Sequence, residues 1–362
     1  MSKLKENKNF LPQFDKKKGL EFGIYSLGDH MDDPYTGVKK SEQQRLQEIV
    51  EMGVLAEQAG LDIFVLGESH QDHFVSQAHA VILSAIAQAT NTIKLSSGST
   101  IISTSDPVRV YENFSTIDLL SDGRVEVVAG RASRIGLFKL LGYDLANYEE
   151  LFEEKFDFLL QINQNEYMNW EGKFRPKLEN AHILPRPKNG QLPIWRAVGG
   201  GPGSAIKAGR AGVPMYLAHL GGSAHAYKHT INAFREAASL EGYNASEIPI
   251  TNAGFFYVAD TTQDALREYY PHVNKGFLLS NGQSFPKQAF AQATDKQTIL
   301  NVGSAQQVIE KILYQHELFG QQRYIGQLDF GGVPHDKIMK NIEIIGNEIL
   351  PAIRKYTAKE HD

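Results

Sequence analysis

The chain has 362 residues, Lys+Arg 37 against Asp+Glu 42 for a net charge of −5, and no cysteine. That balance excludes a sequence-independent nucleic-acid binder, which needs a basic excess. Zero cysteine excludes a disulfide scaffold, a thiol nucleophile and a Cys-ligated zinc, and no run of about 18 apolar residues is present to span a bilayer.

Residues 1–19 carry Lys3, Lys5, Lys8 and the run Lys16-Lys17-Lys18 with no apolar core behind them. This is not an export signal. It reads as a basic, solvated and partly ordered extension of a cytoplasmic protein, leaving 20–358 as one domain. Residues 21–26 read as a first strand. Ser41 with Gln44 three residues later marks a helix start, and Gly60 ends that helix. Residues 62–66 (DIFVL) are apolar on both faces, as a parallel strand covered on both sides must be. The pattern then repeats: a helix over about 76–89, a strand over 93–99, and a helix opened by Asp106-Pro107 and running to about 120. A strand at 124–129 and a helix at 148–164 follow. Residues 165–192, with Pro176, Pro185 and Pro187, read as an insertion with a hairpin turning near Glu171-Gly172. Next come a strand at 193–198, a helix at about 203–211, a strand at 214–218 and a helix at 223–241. A strand at 250–258 and a helix from about 262 precede a second, polar insertion at 276–303. Ser304 to Gln307 opens a helix to about 319, followed by a strand at 323–329 and a last helix over about 334–357.

Eight strands each followed by a helix force parallel pairing, because a parallel crossover needs a covering element. The expected architecture is an α/β, (β/α)8 TIM-type barrel with insertions at about 165–192 and 276–303. A doubly wound open sheet is the alternative.

In such a barrel, chemistry sits at the C-terminal ends of the strands. The second strand runs into Gly67-Glu68-Ser69-His70-Gln71-Asp72-His73. His70 there is a candidate acid/base, since imidazole titrates near working pH. Glu68, His70, Asp72 and His73 are also metal-ligand types, but they make one loop's worth of ligands, with no HxH or HExxH beside them. Gly98-Ser99 ends the third strand with residues small enough for close approach of a ring or backbone. Gly130-Arg131 ends the fourth, where an arginine can fork onto a phosphate or carboxylate. Arg134 follows and reads as a surface residue. The fifth strand ends Gly199-Gly200-Gly201-Pro202-Gly203-Ser204 just before a helix, which leaves backbone N–H groups at the positive end of a dipole. Ser204 in the third slot breaks the dinucleotide fingerprint, and no acidic residue stands at the right distance on another strand. The choice is between a mononucleotide phosphate site and a plain tight turn.

Several segments carry a likeness. They are Leu55 to Asp62, Gly67 to His70, Ser103 to Val110, Asp118 to Arg131, Ala197 to Gly200, and Val302 to Ile312. Together they resemble the bacterial luciferase-like, flavin-dependent monooxygenase family over about residues 20–355. The resemblance implies a barrel binding FMN at the strand ends and a homodimer packed through the helices at about 76–89 and 107–120. It also implies a small organic substrate, O2, and either a partner flavin reductase or transient NAD(P)H. It maps Gly98 and Ser99 to the position backing the flavin ring, often a non-prolyl cis peptide. Gly130 and Arg131 map to the phosphate or ring-edge position, Gly199, Gly200, Gly201, Gly203 and Ser204 to the phosphate loop, and Glu68, Ser69 and His70 to the family's Glu-His-His motif. Ser69 replaces that motif's first His, and Ala132 stands where Gly is common. The insertion at 276–303 falls where the family carries a mobile lid. The competing expectations are a deazaflavin-dependent dehydrogenase with a wider, more basic pocket, a metal-dependent hydrolase on the 68–73 loop, and a non-catalytic flavin binder.

Overall fold

The computed structural model describes residues 4–131 and 136–359. Eight strands form the frame: β1 (Glu21–Ser26), β2 (Ile63–Leu66), β3 (Lys94–Ser97), β4 (Val125–Gly130), β5 (Ile194–Val198), β6 (Met215–Ala218), β7 (Ile250–Val258) and β8 (Arg323–Gln327). Each pairs in parallel with the next, and β8 also pairs with β1, which closes the ring. The doubly apolar run at β2 now has its cause. Ile63 and Val65 point into the barrel with Val128, Trp195, Tyr216 and Ile325. Phe64 and Leu66 point out into the larger core beneath the helices. Alternating side chains on a strand covered on both faces leave no position for a polar residue.

The helices are α1 (Glu42–Gln58), α2 (His79–Ala89), α3 (Pro107–Leu120), α4 (Tyr148–Gln164), α5 (Pro202–Ala211), α6 (Ala224–Leu240), α7 (Thr262–Asn281), α8 (Ala305–Phe319) and α9 (His335–Ile344). The last continues through a π turn at Ile345–Ile349 into Leu350–Thr357. Ser41, Asp106 and Ser304 cap α1, α3 and α8 by accepting backbone N–H bonds from Gln44, Val108 and Gln307, as their residue types dictate. No helix among the described residues is long and apolar enough to cross a membrane.

Several expected boundaries shift. The third strand stops at Ser97. The Gly98–Ser99 peptide is cis, and the chain resumes as Thr100–Ile101, paired to the end of β4. A short helix at Gly136–Leu140 has no counterpart in the sequence reading. The first insertion holds an antiparallel hairpin of Tyr167–Trp170 with Leu178–His182, turning where expected. The second insertion does not begin at 276, because α7 continues to Asn281. Gly276 is a packing glycine rather than a breaker: a Cβ there would lie 2.4 Å from the Phe330 ring. Within the rest of that insertion, Asn301–Gly303 adds a short strand parallel to the end of β7.

The basic extension is held to the barrel at several points. Lys5 N–H donates to the Gly242 carbonyl, and the Asn7 and Asn9 side chains donate to Gly212 and Ala211. Phe14 packs at the N-terminal end of the barrel, edge-on to Trp195 at 6.4 Å and 5.0 Å from the Arg323 guanidinium. Above it, Arg323 forks onto Glu126 at 2.7 and 2.9 Å and donates to Glu21 at 2.9 Å. Trp195 donates to the same Glu126 at 2.8 Å. The buried charges are paired and hydrogen-bonded, as the low dielectric requires. The Arg323 guanidinium beside it holds Glu126 below the usual carboxylate range, against the cost of burial. One end of the barrel is thereby sealed and the other left for chemistry.

Candidate active site

At the C-terminal ends of the strands lies a cavity of about 550 Å³, within the range of small-molecule and cofactor pockets. All eight strands reach it, through Tyr25, Glu68, Gly98, Arg131, Gly199, Ala218, Gly254 and Gln327. Phe255, Phe277 and Phe330 form an aromatic wall on the β7–β8 side, with ring centroids 5.2–6.1 Å apart. Phe277 and Asn281 come from the α7 turns taken for insertion. The mouth is not plugged by side chains and has room for a tricyclic ring.

On the β3–β5 side the walls are stripped of side chains. A Cβ at Gly130 would lie 2.0 Å from Ser99 Oγ, so this glycine lets the β3 crossing and β4 touch. Gly199, Gly201 and Gly203 border open space. Gly200 has φ +97, a region that L side chains rarely adopt. Gly201 is the N-cap of α5 and no side chain caps the helix. First-turn amides and the dipole therefore remain available to an anion. This cradle fits the phosphate tail of a mononucleotide. Thr230 pins the bend by donating to the Gly200 carbonyl, and Tyr227 donates to Gly221 O at 3.0 Å.

The predicted cations behave differently from expectation. Arg131 lines the cavity but is ion-paired with Glu149 and lies 4.9 Å from the Phe152 ring. Ser204 accepts from Arg196 Nε at 3.1 Å rather than standing free. Arg196, not foreseen, is buried and forked onto Glu153 at 2.9 and 2.6 Å. Its signal was present as a lone arginine inside an otherwise apolar strand. Arg134 and Ala132 lie outside the described residues.

The Glu68–His73 loop splits across two spaces. Glu68 faces the barrel mouth. Ser69, His70, Gln71, Asp72 and His73 line a neighbouring compartment of about 360 Å³, which shares Leu27, Glu68 and Ile101 with the first. Ser69 and His70 thus line the compartment that adjoins the barrel mouth at Leu27, Glu68 and Ile101. Glu68 accepts from the Ile101 amide at 2.7 Å through one oxygen and meets His70 Nε2 at 2.7 Å through the other. A third contact was missed: His79 Nδ1 lies 3.7 Å from Glu68, while its Nε2 is 2.8 Å from Thr100 Oγ1. Burial lowers the His79 pKa against the pull of Glu68. Glu68 thus anchors the His70 ring through Nε2 while its other oxygen is held by the Ile101 amide. Among the described residues no three His, Asp or Glu side chains form a metal-holding group, so the hydrolase alternative gains no support.

His219, at the end of β6, is buried with neither ring nitrogen in hydrogen-bonding geometry. Burial drives its pKa down to about 4, with Asn252 pulling the other way. It packs on Gly254, where a Cβ would lie 2.3 Å from its ring.

A family model described as luciferase-like monooxygenase matches residues 20–322. The chain belongs to the luciferase-like monooxygenase family. Membership makes it an oxidoreductase of the monooxygenase type, in a family that works with flavin-type cofactors. The N-acetyl-S-alkylcysteine monooxygenase of Bacillus subtilis is 26% identical over 70% of this chain and 74% of that protein. The F420-dependent glucose-6-phosphate dehydrogenase of Mycolicibacterium fortuitum is 29% identical over 59% of this chain and 65% of that one. The oxygenating constituent of 3,6-diketocamphane monooxygenase from Pseudomonas putida, solved with FMN, superposes with a TM-score of 0.73 at 17% identity, covering 92% and 98% of the two chains. That last likeness establishes the shared barrel fold.

Proposed function

We propose that this chain binds FMN across the barrel mouth and uses it in reduced form, with O2, to oxygenate a small organic substrate. The observation that carries this is the cavity itself. It is reached by all eight strand ends, bordered by aromatic rings on one side and, on the other, by Gly199, from which the glycine bend leads to the N-terminus of α5. In this reading the first-turn amides of α5 and the bend Gly199–Ser204 hold the phosphate, with Arg131 alongside. Gly98, Ser99 and Gly130 give the ring close approach to backbone. Reduced flavin supplies the electrons that activate O2, and the protein supplies binding, orientation and exclusion of water.

The residues of this chain then have distinct tasks. Phe255, Phe277 and Phe330 keep water from the substrate side. Glu68 anchors the His70 ring through Nε2, leaving Nδ1 to move a proton from the adjoining compartment. The α7 end and the segment after it act as the lid of the mouth. Electrons come from a separate flavin reductase or from transiently bound NAD(P)H, and two chains pair through α2 and α3, where Val81, Leu119 and Leu120 are exposed.

The F420-dependent relative favours a second occupant, a deazaflavin. Its charged tail calls for more cations than Arg131, the one lysine or arginine lining the cavity among the described residues. Titration with FMN and with F420, followed by oxygen uptake across aldehydes, thioethers and sulfonates, tests the reading. Stoichiometric FMN binding and substrate-dependent oxygen uptake are expected. F420 binding without FMN binding would replace it with a dehydrogenase.

A further inference from the structure

We propose that the Tyr216 hydroxyl donates a hydrogen bond to the polar edge of the bound flavin ring, a contact that tightens ring binding and favours the reduced form. The inference rests on the FMN reading above. It comes from a polar group on the cavity floor that the protein itself leaves unused.

Tyr216 lies on β6 and packs inside the barrel with Ile63, Val65, Val128 and Ile325, none of which offers a side-chain acceptor. It is 5% exposed, yet it lines the mouth cavity. Among the described residues its hydroxyl has no hydrogen-bond partner. Arg323, whose charge reaches it, is itself a donor and is already held by Glu126 and Glu21. Buried hydroxyls are ordinarily hydrogen-bonded. An unpaired one beside a cavity therefore marks where a bound group supplies the acceptor. Burial pushes the phenol above its ordinary pKa, with Arg323 pulling the other way, so the group stays protonated and donates.

Its place decides the acceptor. A Cβ at Gly98 would lie 3.4 Å from the Tyr216 oxygen and 3.4 Å from the Tyr25 ring. The hydroxyl thus stands beside the Gly98–Ser99 wall, where the FMN reading puts the ring. Gln327, paired in register with Tyr25, is a second polar side chain of this floor. It is buried, and its amide has no hydrogen-bond partner among the described residues. Between them the floor is small, with Gly98, Ala218 and Ala253. The pyrimidine edge of a flavin presents two carbonyls around one N–H, which an uncharged donor and an amide match. A hydrocarbon would leave the hydroxyl unpaired, and a phosphate calls for charged donors. The carbonyls gain electron density on reduction, so a donor fixed there holds the reduced ring more strongly.

The test compares wild-type protein with Tyr216→Phe, which keeps the packing and removes only the hydroxyl. FMN and riboflavin, which lacks the phosphate, are titrated by fluorescence. The reduction potential of bound FMN is measured against a reference dye, and the flavin-free proteins are unfolded in urea. Tyr216→Phe is expected to bind both flavins about three- to tenfold more weakly and to show a lower potential. Without flavin it should be at least as stable as wild type, because an unpaired buried hydroxyl has gone. A loss confined to FMN, unchanged affinity or potential, or a flavin-free variant that is destabilised or fails to fold overturns the proposal while leaving the FMN reading intact. Failure of the wild-type protein to bind FMN overturns both.

Discussion

Glu68 joins two spaces by holding His70: one carboxylate oxygen is 2.7 Å from His70 Nε2, the other is 2.7 Å from the Ile101 amide, and the carboxylate itself faces the barrel mouth. Positioned imidazoles typically contribute a hundredfold or more to a proton-transfer step. His70→Ala should therefore cut turnover by about a hundredfold while changing FMN affinity by less than about threefold, because His70 lines the adjoining compartment. Glu68→Gln should keep the shape, lose the orienting charge and cost about tenfold. Oxygen uptake and flavin titration on the same preparations check both; a large loss of FMN affinity in His70→Ala would move this residue to the flavin.

Arg131→Ala should weaken FMN by about 1–2 kcal/mol, toward the low end for a charged hydrogen bond. The side chain is partly exposed, and Glu149 already uses part of its charge. Riboflavin should be unaffected. Equal binding of FMN by wild type and variant in a fluorescence titration would take Arg131 out of the phosphate site.

Backbone approach is tested at two glycines. Gly200→Val imposes a β-branched side chain at φ +97, with its Cβ 3.1 Å from the Tyr227 ring. It should lose FMN by at least tenfold and cost about 1–3 kcal/mol of stability. Gly130→Ala drives a methyl into Ser99 Oγ at 2.0 Å and should displace the β3 crossing, with a similar loss of flavin. Chemical denaturation separates strain from binding. Undiminished FMN affinity in both variants would argue against close backbone contact.

Phe14→Ala should destabilise the fold by about 1–3 kcal/mol, less than a fully buried phenylalanine, because Phe14 is half-buried against Trp195 and Arg323. FMN affinity should not change, since the contact is at the opposite end of the barrel. A thermal midpoint equal to wild type would show that the N-terminal segment contributes nothing there.

The buried neutral imidazoles should contribute stability that is lost on acidification. His219 is held down to about 4 by burial, and His79 and His272 are lowered for the same reason. Between about pH 6.5 and 4 the unfolded chain binds a proton at His219 that the folded chain does not, so this contribution is complete above 6.5 and falls as pH drops. Asp29, pushed up to about 7 by burial and by Asp329, works in the opposite direction over the whole of that range and offsets much of that loss. Comparison with His219→Leu isolates the histidine: the variant should lose up to about 1.4 kcal/mol per pH unit of slope. Parallel stability profiles would mean that His219 is protonated in the fold.

The barrel was legible in the sequence because short, largely apolar strands alternate with helical patterns, several of them opened by a polar cap such as Ser41, Asp106 or Ser304, all local signals. The glycine bend was legible for the same reason, whereas the cis peptide at Gly98–Ser99 was expected only from the family resemblance. Other features depend on partners distant in the chain. Gly276 looked like a helix breaker until Phe330 lay against it, and this hid Phe277 and Asn281 from the site. Where the partly ordered N-terminal segment attaches was not legible, because Phe14 meets Trp195 and Arg323 and the Lys5, Asn7 and Asn9 bonds reach residues 211–242. The division of the 68–73 loop, with Glu68 bordering both spaces and Ser69 and His70 the adjoining one, depends on Leu27 and Ile101 from elsewhere in the chain. Glu149, which pairs with Arg131, carries no motif at all.

The most direct test of the central claim is a crystal structure of the protein with FMN diffused in. The account predicts the phosphate on the first-turn amides of α5, within the bend Gly199–Ser204, and the ring across the mouth against Gly98–Ser99. A phosphate bound elsewhere, or a ring lying outside the eight strand ends, would contradict it.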